Sequence, residues 1–476
     1  EYTDGIIQLG LWRSPVVFFP PGYSAVVECV NQVVNDRLLA GRLVSILASI
    51  GSLAACYGLA KTVLKDERKA TLAVLFLALS PIFNRWSLRV MTDSLFLFLF
   101  IICCRQVMLL WHDPKRSPIG FFGWIGLAAL VRYQGLYFVP FAVYFWGRNG
   151  WRRRGHPAFS QEKIRSIVVL ATALLPWLAL GMWIWGRGFG HTQQFVERGS
   201  FGFWTTLSLY YSMFETFILY WPWAVTYGLF VAGIVGAAGM WSRAGEYRCF
   251  SLFFLATAAI FLIVQSCFLS FQYRYLLPLV PVWCILAAYG WGVVQEKIAN
   301  RNARRVLGGL VVVNLVVMSL AVLYFQRGAF GDLADSARFL RSAKFQRMAP
   351  EGARILSDEI YRQGVYNVKM KFWAGEGFDI LPYPLTPPEN GDVLILHNVY
   401  SDLQKTKELL EENFELKIMQ TWYSEHIGDR YAVLPLLPDI MVNPPAPPLT
   451  SNPPCMAFRF APQYYYSAAL LLLEKQ

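Results

Sequence analysis

The chain has 476 residues, of which 55% are apolar, 16% aromatic and only 16% charged, with a formal net charge of +12. That balance excludes an ordinary soluble globular protein and describes a polytopic membrane protein. The excess of positive charge implies no nucleic-acid partner, because the basic residues fall mainly in short links between apolar segments, where they report topology.

Residues 1–37 form a first loop. It opens with two carboxylates, Glu1 and Asp4, on a short amphipathic turn and bends at Phe19-Pro20-Pro21-Gly22-Tyr23. The start lacks a Met and the basic-then-apolar pattern of a signal peptide, so a further membrane helix is expected upstream of Glu1.

Apolar segments then follow one another from 38 to 325. They predict roughly ten spans, each needing about 20 apolar residues to cross about 30 Å of hydrocarbon. The first is 38–59. The next, 70–83, stops at Asn84-Arg85-Trp86-Ser87-Leu88-Arg89, and a third starts after Thr92-Asp93 and ends at Trp111. Two short segments flank Arg132-Tyr133-Gln134-Gly135 and read as tilted half-hairpins. Further spans are predicted at 166–185, 216–240, 249–269, 275–294 and 306–325.

Because successive spans alternate in direction, the links fall into two sets. The set at 61–69, 115–116, 148–165, 243–248 and 297–305 holds more than twice the Lys and Arg of the other links, so the positive-inside rule makes it cytoplasmic. The other set, at 1–23, 84–93, 132–135, 186–215 and 272–274, then lies outside with everything after 325. The expected location is the cell (inner) membrane, with the endoplasmic reticulum the less favoured site.

After 325 short apolar strands (355–356, 393–396, 431–434) alternate with amphipathic helices (333–345, 401–414). That alternation predicts a small α/β domain over 326–435. Residues 436–476 read as a proline-rich tether and a tail, whose Leu470-Leu471-Leu472-Leu473 run is too short to span and suits a membrane surface or a partner. The predicted fold class is an α-helical polytopic membrane protein with a C-terminal extracytoplasmic α/β domain. The eight cysteines show neither metal-ligand spacing nor a disulfide framework.

Chemistry is expected where charge gathers in the outward links. Asp93 opens a membrane helix, where the helix dipole favours a carboxylate and by itself explains the residue; a binding role stands beside that reading. Arg85, Arg89, Arg132 and Arg274 sit on the side the positive-inside rule depletes. They either snorkel or pair with Asp93, or they bind a phosphate, which a planar guanidinium grips bidentately. A carboxylate activating a hydroxyl beside such arginines suits a lipid-borne phosphate as leaving group. No His pair has metal spacing, and of the five histidines only His191 lies in an outward membrane-proximal loop.

These residues carry a resemblance. Glu1-Tyr2, Phe19-Pro20-Pro21-Gly22-Tyr23, Gly41-Arg42-Leu43, Leu79-Ser80-Pro81, Thr92-Asp93-Ser94-Leu95-Phe96, Val131-Arg132-Tyr133-Gln134-Gly135 and Tyr273-Arg274-Tyr275-Leu276-Leu277-Pro278 occur in that order. Together they resemble the GT-C membrane glycosyltransferases, above all bacterial relatives of the dolichyl-phosphate-mannose protein mannosyltransferases and the aminoarabinose lipid A transferase. The resemblance implies a GT-C-like bundle and inverting transfer of a sugar from a polyprenyl-phosphate donor to a lipid or protein acceptor among membrane lipids. It places the catalytic base at Glu1, with Asp4 close by. Arg274, with Arg132 and Arg89, falls to the donor phosphate, and Tyr23, Asp93, Tyr133 and Tyr273 line the cleft. The group often has Glu at the position of Asp93. A divalent metal is left open and no metal ligand is assigned. The alternative is a non-catalytic accessory subunit that keeps this fold in a membrane complex, held through the outer domain and the Tyr464-Tyr465-Tyr466 tail. A transporter has less support, because the charges gather at one face and not at the midplane.

Overall fold

A computed structural model describes residues 22–152 with gaps at 88 and 114–115, 225–266 apart from 244, and 273–326. In the C-terminal part it describes most of 338–357, 360–366, 379–397, 410–423 and 467–475, with isolated residues elsewhere. The chain divides into two compact units, Tyr2–Val322 and Leu323–Gln476.

The first unit is helical. In chain order its helices are α1 (Gly22–Val34), α2 (Arg37–Leu64), α3 (Glu67–Ala78), α4 (Pro81–Ser87), α5 (Thr92–His112), α6 (Ile119–Val131), α7 (Val139–Arg152), α8 (Tyr227–Ser242), α9 (Glu246–Ser266), α10 (Val280–Lys297) and α11 (Arg301–Gln326). Side chains fix the ends of the early helices. Asp36 caps α2 by accepting from Leu39 N at 2.9 Å, and Asp66 caps α3 by accepting from Arg68 N at 2.9 Å. Lys65, with φ 54°, turns the chain between them in the left-handed conformation.

Four segments, Arg37–Leu64, Thr92–His112, Arg274–Lys297 and Arg301–Leu320, are long and apolar enough to cross a membrane. Three shorter apolar helices, Ile119–Val131, Tyr227–Ser242 and Tyr247–Phe261, accompany them. The apolar segment expected at 70–83 is not one helix: α3 and α4 meet at a 63° bend and continue to Ser87. Pro81 lacks the N–H that would continue the ladder, so the chain turns there. The span expected at 166–185 lies almost wholly outside the described residues, so the count of spans is stated for the described residues alone.

Packing follows from small residues and aromatic rings. At Gly236 of α8 a Cβ would come within 1.8 Å of the Leu286 carbonyl oxygen, and at Gly290 of α10 one would meet the Ala232 oxygen at 2.0 Å. The two backbones therefore touch where side chains are absent, as small residues allow in membrane bundles. Next to that contact Trp283 packs edge-on against Trp221, stacks on Phe230, and donates to Leu229 O at 3.1 Å.

The second unit holds a five-stranded sheet in the order β4-β1-β5-β7-β6: β1 (Ile355–Ser357), β4 (Ile380–Pro382), β5 (Val393–His397), β6 (Phe414–Tyr423) and β7 (Ser467–Lys475). Strands β2 (Ile360–Arg362) and β3 (Val365–Tyr366) pair separately. β1 runs parallel to β4 and β5, whereas β7 is antiparallel to both its neighbours. Successive residues serve opposite faces. Ile355, Val393, Ile395 and Leu472 pack with Leu340 and Phe345 on one, while Leu356, Leu394, Leu396, Leu471 and Leu473 pack with Leu410 on the other.

Two sequence expectations are corrected here. The Leu470-Leu471-Leu472-Leu473 run is not a surface tail; it is the strand inserted between β5 and β6. An unbroken apolar run suits a strand covered on both faces as well as it suits a membrane surface. The helix expected at 401–414 also gives way to strand at Phe414. The strand expected at 431–434 lies outside the described residues.

Candidate active site

At one end of the helical unit, two arginines from separate stretches of the chain meet on Asp93. This residue lies in the first turn of α5, whose N-cap, Met91, offers no side-chain acceptor. A carboxylate there complements the exposed N–H groups of the helix start. Arg132 follows the last residue of α6 in an extended conformation, and its Nη1 donates to Asp93 Oδ1. The turn that holds Arg132 out is made by Gly135, where a Cβ would sit 2.4 Å from Ala129 N, so only glycine lets the turn Tyr133–Phe138 fold back on α6. Gln134 Oε1 accepts from Arg132 Nε at 3.2 Å and orients the guanidinium.

Arg274 enters from the turn Tyr273–Leu279 that precedes α10. Its Nη1 is 3.7 Å from Asp93 Oδ2 and 3.5 Å from Met91 Sδ. Asp93, Arg132 and Arg274 are 3%, 9% and 7% exposed, so all three charges are held away from bulk solvent within the structure. Asp93 Oδ2 is buried and accepts no hydrogen bond among the described residues. Tyr275 lies between the two arginines, its ring centre 5.7 Å from Cζ of Arg132 and 5.6 Å from that of Arg274.

A second surface of the site is Trp86, near the end of α4. Cζ of Arg89 lies 4.5 Å from its ring centre, that of Arg85 5.6 Å and that of Arg274 5.8 Å. Guanidiniums over an indole face are attracted by the ring quadrupole, which keeps three cations close together in one place.

Tyr23, on the first turn of α1, reaches the same region. Its hydroxyl donates to Gly41 O at 3.2 Å and lies 3.1 Å from Ser45 Oγ. Burial pushes its phenol up to about 12; the Ser45 hydrogen bond opposes that and the nearby Asp93 charge adds to it. Burial likewise raises Tyr133 to about 12. Both hydroxyls are therefore neutral donors at physiological pH.

The structure thus brings together Tyr23, Asp93, Arg132 and Arg274, with Arg89 joined through Trp86. Tyr273 begins the Arg274 turn. Glu1 and Asp4 lie outside the described residues. Sequence reasoning missed Trp86, Gln134 and Tyr275, although each sits inside a motif it singled out. It also missed Glu28, a buried carboxylate of α1 that accepts from Gln32 Nε2 at 2.9 Å and lies 3.6 Å from Arg37 Nε. Among the described residues no three His, Cys, Asp or Glu side chains gather as a metal site.

The helical unit with a small α/β unit after it in the chain has a GT-C-like fold, shown by its likeness to solved structures. ArnT from Cupriavidus metallidurans bound to undecaprenyl phosphate matches 88% of this chain over 91% of its own, with 14% identity and a TM-score of 0.51. The same protein in the apo state matches 88% over 90%, with 15% identity and a TM-score of 0.52. The Archaeoglobus fulgidus oligosaccharyltransferase in complex with zinc and sulfate is a looser likeness, at 14% identity, 83% of this chain, 63% of that one and a TM-score of 0.45. In sequence, residues 19–183 match the family described as dolichyl-phosphate-mannose-protein mannosyltransferase. No curated protein matches the sequence.

Proposed function

We propose that this chain is a glycosyltransferase that moves a sugar from a polyprenyl-phosphate donor to a lipid or protein acceptor on the extracytoplasmic side of the membrane. The observation that carries the reading is the buried Asp93–Arg132–Arg274 group at one end of the bundle. A guanidinium held in place by a carboxylate is a fixed planar cation, and a phosphate oxygen is a good match for it. As the sugar–phosphate bond breaks, charge grows on the departing phosphate; fixed cations in a water-poor site stabilise that charge without reorganising.

Arg274 and Arg132 hold the leaving phosphate, with Arg89 beside them on Trp86. Tyr23 and Tyr133 line the cleft beside them. Glu1 or Asp4 takes the proton from the incoming acceptor hydroxyl, which attacks the anomeric carbon from the face opposite the phosphate and inverts it. The family match over 19–183 and the GT-C fold support this class of reaction, and the undecaprenyl phosphate bound by ArnT supports a carrier of that kind. The purified chain in lipid nanodiscs, given an undecaprenyl-phosphate sugar and a membrane-lipid extract as acceptor, should release undecaprenyl phosphate. Release unchanged in Arg274→Ala would overturn the assignment, and no release at all would favour the accessory-subunit reading.

A further inference from the structure

We infer that Asn84 and Ser319 are positioning residues that set the angle of α4, and through it the arginine-bearing Trp86 face, for the donor phosphate; this rests on the donor reading above. The bend at Pro81 interrupts the α3 ladder and releases the carbonyls of Ala78 and Leu79 inside a segment built to sit in an apolar medium. Such groups must find partners there. Asn84 Nδ2 donates to Ala78 O at 2.9 Å and to Ser319 Oγ at 3.1 Å, and Ser319 Oγ donates to Leu79 O at 2.6 Å. Asn84 belongs to α4 and Ser319 to α11, so two side chains far apart in sequence close one polar clasp over the break.

The clasp fixes a direction as well as satisfying two carbonyls. α4 is one short helix of seven residues, bent by 63° from α3, and Asn84 is its fourth residue. Its far end is tied by Ser94 Oγ donating to Trp86 O at 2.9 Å. Held at both ends, α4 presents Trp86 to Arg89 and Arg274, and Arg274 in turn lies on Asp93. A tilt of α4 would carry the ring away from Arg274 and shift Arg89, which follows α4 in the chain. A shift of about 1 Å in such a frame is enough to cost up to about a hundredfold.

The test uses the full chain in nanodiscs, with Ser319→Ala, Asn84→Ala, the double variant, and Ser319→Thr as the conservative replacement. Ser242→Ala removes a local, exposed serine-to-carbonyl bond, to Gly239 O at 3.0 Å, elsewhere on the unit and serves as the control. Two quantities are read: amide exchange over 81–94, and the Kd for undecaprenyl phosphate. Ser319→Ala should speed exchange there by about tenfold and raise Kd by about tenfold. Ser319→Thr and Ser242→Ala should do neither, and the double variant should add less than the two singles because they share a bond. Unchanged exchange in both single variants overturns the proposal. Faster exchange with unchanged Kd also overturns it, since the clasp would then be structural only. A wild-type chain that fails to bind undecaprenyl phosphate sinks the donor reading instead, and the exchange measurement then decides the clasp by itself.

Discussion

Asp93 Oδ2 stands 3.7 Å from Arg274 Nη1, joining the start of α5 to the turn before α10. Its other oxygen accepts from Arg132, so one carboxylate balances two buried guanidiniums. Asp93→Asn keeps the shape and removes the charge, leaving two cations facing each other out of water. Breaking a buried ion pair by removing one partner costs about 3–5 kcal/mol. Thermal unfolding of the variant in nanodiscs should show a marked fall in Tm, partly restored by adding Arg132→Gln. A Tm equal to that of the wild type would mean that the carboxylate does not hold this end together.

Arg274→Lys keeps the charge but loses the planar fork, so binding of undecaprenyl phosphate should weaken while Tm changes little. Arg274→Ala should weaken it further, by roughly 1.5–3 kcal/mol for a charge-assisted hydrogen bond. Isothermal titration of both variants checks the order.

Gly236 and Gly309 should answer alanine in opposite ways. At Gly236 the new methyl meets the Leu286 carbonyl, so α8 and α10 must separate at a cost of about 1–3 kcal/mol. At Gly309 of α11 nothing lies within 4 Å, and alanine should be neutral or slightly stabilising. Parallel melting curves of the two variants decide this.

The raised phenol of Tyr23 gives a stability contribution that is complete below the ordinary tyrosine pKa of about 10. It is lost as pH rises through the folded value of about 12, because only the unfolded chain ionises readily in that window. Tyr23→Phe should therefore flatten the fall in Tm between those two pH values. Wild-type and variant curves that run parallel would show that the hydroxyl is not buried as described.

Sidedness is open to direct labelling. A cysteine at Asn390 should react with an impermeant thiol reagent on whole cells, and one at Asn149 should not. The reverse result would place the α/β unit in the cytoplasm and remove the basis for an extracytoplasmic reaction.

The sequence by itself determined the membrane class, most helix positions, and the motifs that carry the site, because apolar length and charge placement are local properties of a chain. Arg132 was legible from Val131-Arg132-Tyr133-Gln134-Gly135, and Arg274 from the motif before α10. It could not show that Ser319 bonds Leu79 O across the 63° break between α3 and α4, since only packing brings those two residues together. Nor could it show that Leu470-Leu471-Leu472-Leu473 is a strand lying between β5 and β6, because an apolar run looks the same wherever its covering surfaces come from. That Asp93 takes Arg132 and Arg274 as partners was likewise decided only by tertiary structure. The helix dipole accounts for a carboxylate at the start of α5, but only packing of α6 and the turn before α10 brings two guanidiniums onto it.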